Sequence, residues 1–196
     1  MFDILCVTNR LLCKEDFLTR IKKIAKSKPT AIILREKYLN EDEYKKLASE
    51  VLKICQTYKT LFIPHSFVDV ATELNCNALH VPLNILRSLS VEDKAGFTTL
   101  GVSCHSVEDA IEAEKLGCTY ITAGHVFDTG CKKGLPGRGL EFLKNVCESV
   151  SIPVYAIGGI SSENIVDVRN AGAKGACVMS STMVCEDVKK YIGELQ

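Results

Sequence analysis

Residues 154–181 read VYAIGGISSENIVDVRNAGAKGACVMSS. A short apolar run, Val154–Ile157, breaks at Gly158-Gly159, and a helical pattern follows over Ser162–Ala171. Gly172 then stands where a left-handed helix end is expected, and a second apolar run, Ala176–Met179, stops at Ser180-Ser181. Four consecutive apolar residues without alternation imply a strand buried on both faces. Such strands belong to a parallel sheet covered by helices.

The same alternation extends over the rest of the chain. Strand-like runs are Ile4–Thr8, Ala31–Leu34, Leu61–Ile63, Ala78–Val81, Thr99–Cys104 and Tyr120–Val126, ahead of the two already quoted. Helical patterns cover Glu15–Ala25, Glu41–Tyr58, Val107–Leu116, Leu140–Ser149 and Glu186–Leu195. Asn40 and Ser106 sit at N-cap positions, with Glu43 and Asp109 three residues on to close capping boxes. Eight strands, one about every 24 residues, predict an α/β chain folded as a (β/α)8 TIM barrel, in a single domain spanning 1–196. A doubly wound open sheet is the alternative. It usually carries fewer strands, and the G-x-G-x-x-G turn expected after its first strand is absent.

Composition narrows the function classes. The chain has 196 residues, 46% apolar and 24% charged, with 24 basic against 24 acidic side chains. That balance gives no basic stripe for nucleic acid and no cationic face for a membrane, so neither is expected as a partner. Ten cysteines are scattered singly, without a C-x-x-C, and no charged-then-apolar leader precedes Phe2. They read as reduced core residues of a cytoplasmic protein. The four histidines have no ligand-like spacing with cysteine pairs, so no metal is expected.

In a barrel, chemistry collects where strands end and βα loops begin. The exits after the seventh and eighth strands are the usual phosphate site. Gly158, Gly159, Ser180 and Ser181 are therefore the expected phosphate ligands, with glycine allowing close backbone approach to the anion. The stretch from Gly124 to Gly139 leaves the sixth strand as a long loop rich in glycine and cations. It reads either as a lid over an anionic ligand or as an exposed loop with Lys132 and Lys133 merely solvated. His125 reads equally as an acid/base residue or as a hydrogen-bonded strand histidine.

At this loop the sequence resembles the family of thiamine phosphate synthases and their TenI-like relatives, the thiazole tautomerases. The resemblance covers nearly the whole chain. It includes Leu34-Arg35-Glu36-Lys37, Gly101-Val102-Ser103-Cys104-His105-Ser106, Ala156-Ile157-Gly158-Gly159-Ile160 and Ala171-Gly172-Ala173. Within the family, Gly124–Thr129 and Cys131–Leu135 look tautomerase-like, because synthases tend to have proline where His125 stands and threonine where Cys131 stands. A synthase displaces pyrophosphate from a hydroxymethylpyrimidine with magnesium held by aspartates. The matching segment here, His65-Ser66-Phe67-Val68-Asp69, has serine at a ligand position, and His80–Ile85 offers no second carboxylate.

The resemblance thus implies a metal-free thiazole tautomerase without cofactor. Such an enzyme isomerises an ylidene dihydrothiazole carboxylate phosphate to the aromatic thiazole carboxylate phosphate, with His125 moving the proton. Arg35, Lys37 and Lys132 become candidates for the substrate carboxylate or nearby charge. His65 and His105 become accessory proton carriers, His65 replacing the family's usual asparagine. Glu36 reads as an ion-pair partner orienting Arg35 and Lys37, and Asp69 as a helix N-terminal charge. The expected partner is a phosphorylated thiazole, and relatives imply a possible homodimer. The alternatives are a magnesium-dependent thiamine phosphate synthase and a non-catalytic phosphate-ligand sensor.

Overall fold

The computed structural model describes residues 2–132 and 134–196. Its strands are β1 (Asp3–Val7), β2 (Ala31–Leu34), β3 (Leu61–Pro64), β4 (Ala78–Pro82), β5 (Thr99–Cys104), β6 (Tyr120–Gly124), β7 (Val154–Ile157) and β8 (Gly175–Val178). The helices are α1 (Phe17–Lys26), α2 (Glu41–Tyr58), α3 (Val68–Glu73), α4 (Leu83–Ser88), α5 (Val91–Ala95), α6 (Val107–Lys115), α7 (Gly139–Ser149), α8 (Ile165–Asn170), α9 (Ser180–Val184) and α10 (Val188–Leu195). The sheet order is β3-β2-β1-β8-β7-β6-β5-β4, with parallel pairing along β1, β2 and β3 and along β5 to β8. Along this order consecutive strands are neighbours, with β3 and β4 at its two ends. This is the (β/α)8 TIM-barrel fold that the strand spacing predicts.

Two compact units divide the chain. One comprises Asp3–Leu79 with Val178–Gln196, the other His80–Cys177 with Phe2. In the first unit, β2 is buried at every residue, and α2 covers it with Tyr44, Ala48, Val51, Ile54 and Cys55. Tyr44 does more than fill space. Its hydroxyl donates to Leu34 O at 2.7 Å and accepts from His65 N at 2.9 Å, while its ring stacks on Phe67 at 4.0 Å. One side chain thereby satisfies backbone groups at the ends of both β2 and β3 and sets the spacing of two strand exits.

In the second unit, β6 is buried throughout and pairs with β5 and β7. Gly124, its last residue, has Ile157 Cγ2 and Ile157 O each 2.5 Å from where a Cβ would stand, so the chain turns here with no room for a side chain.

The sequence-derived helices need correction: α1 and α10 each begin two residues later than read, at Phe17 and Val188. The short helices α3, α4, α5 and α9 have five or six residues, too few to show a 3.6-residue period. Helix α8 begins at Ile165, not at Ser162, because Asn164 Oδ1 accepts from Ser161 N and holds that stretch in a turn. The capping box at Asn40 is complete, whereas at Ser106 the carboxylate of Asp109 accepts from His105 N instead. All ten cysteines are free thiols, and burial pushes Cys55 and Cys104 up to about 12. Among the described residues, no helix is long and apolar enough to cross a membrane.

Candidate functional site

In the first unit the exits of β1 and β2 are locked to each other by Glu36, which is only 3% exposed. Thr8 Oγ1 donates to Glu36 Oε1 at 2.6 Å, and Arg10 N donates to both carboxylate oxygens at 3.1 Å. Arg35 N donates in turn to Thr8 Oγ1 at 3.0 Å. Burial pushes the Glu36 carboxyl upward, and the bonds from Thr8 and Arg10 oppose that shift. The carboxylate expected to orient Arg35 and Lys37 therefore anchors the β1 exit. Arg35 is half-buried and Lys37 exposed beside it. His65 is buried, with Nδ1 2.8 Å from Ser66 Oγ. Asp69 lies in the first turn of α3, as expected for a helix N-terminal charge. Ser180 is exposed and Ser181 half-buried at the start of α9.

In the second unit the loop after β6 folds back over the exit of β7. Val126 N donates to Ile157 O, and Phe127 N donates to Gly158 O. Gly158 (φ +100°) and Gly159 (φ +67°) have the left-handed backbone that glycine tolerates. A Cβ on Gly158 would lie 2.4 Å from His125 Cβ, and one on Gly159 would lie 2.6 Å from Asp128 O. The two glycines are thus the surface on which the loop rests. His125 Nε2 is 3.2 Å from Leu135 O, and Asp128 Oδ1 accepts from Gly137 N at 2.6 Å. Between these ties lies a cavity of about 450 Å³ lined by Asp128, Thr129, Lys132, Leu135, Pro136 and the intervening glycines. Lys132 reaches it, and Lys133 lies outside the described residues. His105 Nδ1 meets Gly124 O at 3.0 Å, so this histidine is tied to the β6 exit.

The sequence reading missed His80. It is 3% exposed on β4, with Nδ1 2.9 Å from Tyr120 Oη and Nε2 2.9 Å from Ser103 Oγ. Burial pushes its imidazole down to about 3, against an ordinary 6.5. Between those two values the unfolded chain binds more protons than the folded one. Stability is therefore full above pH 6.5 and falls as the medium is acidified. The slope approaches about 1.4 kcal/mol per pH unit. Denaturant titrations at pH 7 and pH 5 should show wild type losing about 2 kcal/mol more than His80→Gln. Equal losses would show that His80 carries no such linkage.

Comparison with known proteins supplies what geometry alone does not. The family model described as thiamine monophosphate synthase matches residues 4–182. The chain belongs to this family. It is 35% identical to a thiamine-phosphate synthase of Clostridium acetobutylicum over 96% of this chain and 90% of that one. It is 34% identical to thiamine-phosphate synthase 2 of Streptococcus pneumoniae over 93% and 88%. A solved thiamine phosphate pyrophosphorylase from Pyrococcus furiosus superposes with a TM-score of 0.84 at 31% identity, covering 99% of this chain and 93% of that one.

These findings correct the tautomerase and isomerase expectation: the curated relatives are named thiamine-phosphate synthase, and the solved one thiamine phosphate pyrophosphorylase. The expectation rested on His125 and Cys131 in the loop and on the two carboxylates absent at Ser66 and from His80–Ile85. In the structure His125 has a local employment, with its ring on Leu135 O and its Cβ against Gly158.

The magnesium that the resemblance implies finds no matching carboxylate pair among the described residues. Ser66 Oγ is engaged by His65 Nδ1, and the β4 exit continues as Pro82, buried Leu83 and exposed Asn84. Glu36, the buried carboxylate of the first unit, is taken up by Thr8 and Arg10. Among the described residues, no three His, Cys, Asp or Glu side chains gather as a metal cluster. Neutral serine and asparagine do not replace a pair of hard anionic oxygens.

Proposed function

We propose that the chain is a thiamine-phosphate synthase, a transferase that joins a hydroxymethylpyrimidine diphosphate to a thiazole phosphate. A carbon–nitrogen bond forms between the pyrimidine methylene and the thiazole ring, and the carbon–oxygen bond to the diphosphate breaks, with the electron pair leaving on the diphosphate. The observation that carries this reading is similarity along nearly the full length to relatives of that name, at 31–35% identity.

The chain's own residues have assignable work in such a coupling. Gly158 and Gly159, with their left-handed backbone, are assigned close approach to a substrate phosphate. Ser180 and Ser181, at the start of α9, are separate candidates for a phosphate ligand. Lys132, at the wall of the cavity, supplies positive charge for the departing diphosphate. His125, through Leu135, holds the loop that walls the cavity, and His105 braces the same strand exit. No carboxylate pair is assigned to a metal.

The test is to supply purified protein with both phosphorylated precursors and follow thiamine phosphate and released pyrophosphate, with magnesium added and with metal chelated. Thiamine phosphate above the buffer control, formed one for one with pyrophosphate, is the expected result. No product under either condition would overturn the reading. With no carboxylate pair for magnesium assigned among the described residues, chelation should cost this enzyme little of its rate.

A further inference from the structure

We propose that Tyr120 and His80 act as a buried relay that turns the Ser103 hydroxyl outward as a hydrogen-bond donor to bound substrate. The substrate part of this inference rests on the synthase reading, whereas the relay itself rests on geometry. Ser103 is the penultimate residue of β5 and half-buried, at the strand end where function collects in this fold. Its oxygen has one proton to give and two sites to accept. His80 Nε2 lies 2.9 Å from that oxygen, and Thr122 Oγ1 points to it from 3.5 Å. When both donate inward, the serine proton is left to point out of the protein.

The direction of the chain follows from Tyr120. A phenol is the acid of the pair and donates to Nδ1 of a neutral imidazole, leaving the ring proton on Nε2. Burial supports this by keeping the tyrosine protonated and the imidazole uncharged. The backbone is shaped to admit the contact. A Cβ on Gly101 would stand 2.0 Å from Tyr120 Cζ and 2.3 Å from its hydroxyl, so only glycine lets the ring cross to His80. Tyr155 fixes the other side of that ring, edge to face at 5.5 Å. A buried imidazole and phenol are costly to desolvate, and leucine or phenylalanine would fill the same space without that cost. Their hydrogen-bond order, ending on a half-exposed hydroxyl, gives the polar chain a purpose that packing does not. His80 and Tyr120 are thus positioning residues, and neither touches substrate.

The experiment pairs a spectroscopic and a kinetic readout. Long-range proton–nitrogen correlation on the full chain should show the His80 ring as a single Nε2-protonated tautomer, and Tyr120→Phe should turn it into a mixture. In steady-state assays Tyr120→Phe, His80→Leu and Ser103→Ala should each raise KM for the same precursor about tenfold with kcat little changed, the loss of one well-placed hydrogen bond. His80→Gln, whose side-chain amide donates from the position of Nε2, should restore most of the affinity. If His80→Leu fails to fold, Tyr120→Phe, which removes a single oxygen, carries the test. An Nδ1-protonated ring would overturn the relay. So would wild-type KM in Tyr120→Phe and His80→Leu alongside a raised KM in Ser103→Ala. A wild-type protein that makes no thiamine phosphate would sink the synthase reading and leave the relay to the ring spectrum.

Discussion

Gly158→Ala is expected to lose about 3 kcal/mol of stability and about a hundredfold in turnover. Two independent costs meet at this residue. Its φ of +100° is strained for any side chain, a penalty of about 1–2 kcal/mol. The new methyl would also sit 2.4 Å from His125 Cβ and 2.8 Å from His125 Cα, so the backbone itself must retreat. That retreat would move the whole loop, because Gly158 O is the acceptor for Phe127 N and the loop's next contact is Asp128 O over Gly159. Turnover suffers through misplacement of the cavity wall, whose residues lie only a few positions along from His125. The change can be followed by denaturant unfolding together with calorimetric binding of thiazole phosphate. A variant of wild-type stability that still binds and turns over normally would show that the loop does not rest on Gly158.

What the sequence told about this protein, and what it withheld, divides along physical lines. The strands were legible because burial on both faces writes continuous apolar runs: Ala31–Leu34, Thr99–Cys104 and Val154–Ile157 have the limits read from the sequence. The complete capping box at Asn40 was legible because its two partners are three residues apart. Glu36 and His80 were not, because their roles are set by partners distant in sequence. Glu36 meets Thr8 across 28 residues and His80 meets Tyr120 across 40, and no local pattern reports either pairing. The exits bearing Arg35, His65, Ser103, His125 and Gly158 could be found from strand numbering alone. The choice between synthase and tautomerase could not be made from a few substituted positions. A serine in place of an aspartate reports the loss of one donor, and it is silent on which reaction the remaining residues support.

Gly101→Ala should destabilise the chain by about 3 kcal/mol, and most of that cost should vanish when Tyr120 is also reduced to leucine. The methyl would occupy the volume of the Tyr120 ring, whose Cζ is 2.0 Å from the ideal Cβ position. The ring has nowhere to retreat. It is 5% exposed, held edge-on by Tyr155 and tied through its hydroxyl to His80. Tyr120→Leu alone costs stability through a cavity and through the lost hydrogen bond to His80. In the double variant the added methyl partly fills that cavity, so the two costs should fall well short of their sum. The coupling, read from denaturant titrations of the four proteins, measures how tightly β5 and β6 are matched in this part of the sheet. Simple additivity would mean that the ring can swing away from Gly101. In that case the glycine would not be what admits Tyr120 to His80, and the steric argument for the relay would fall with it.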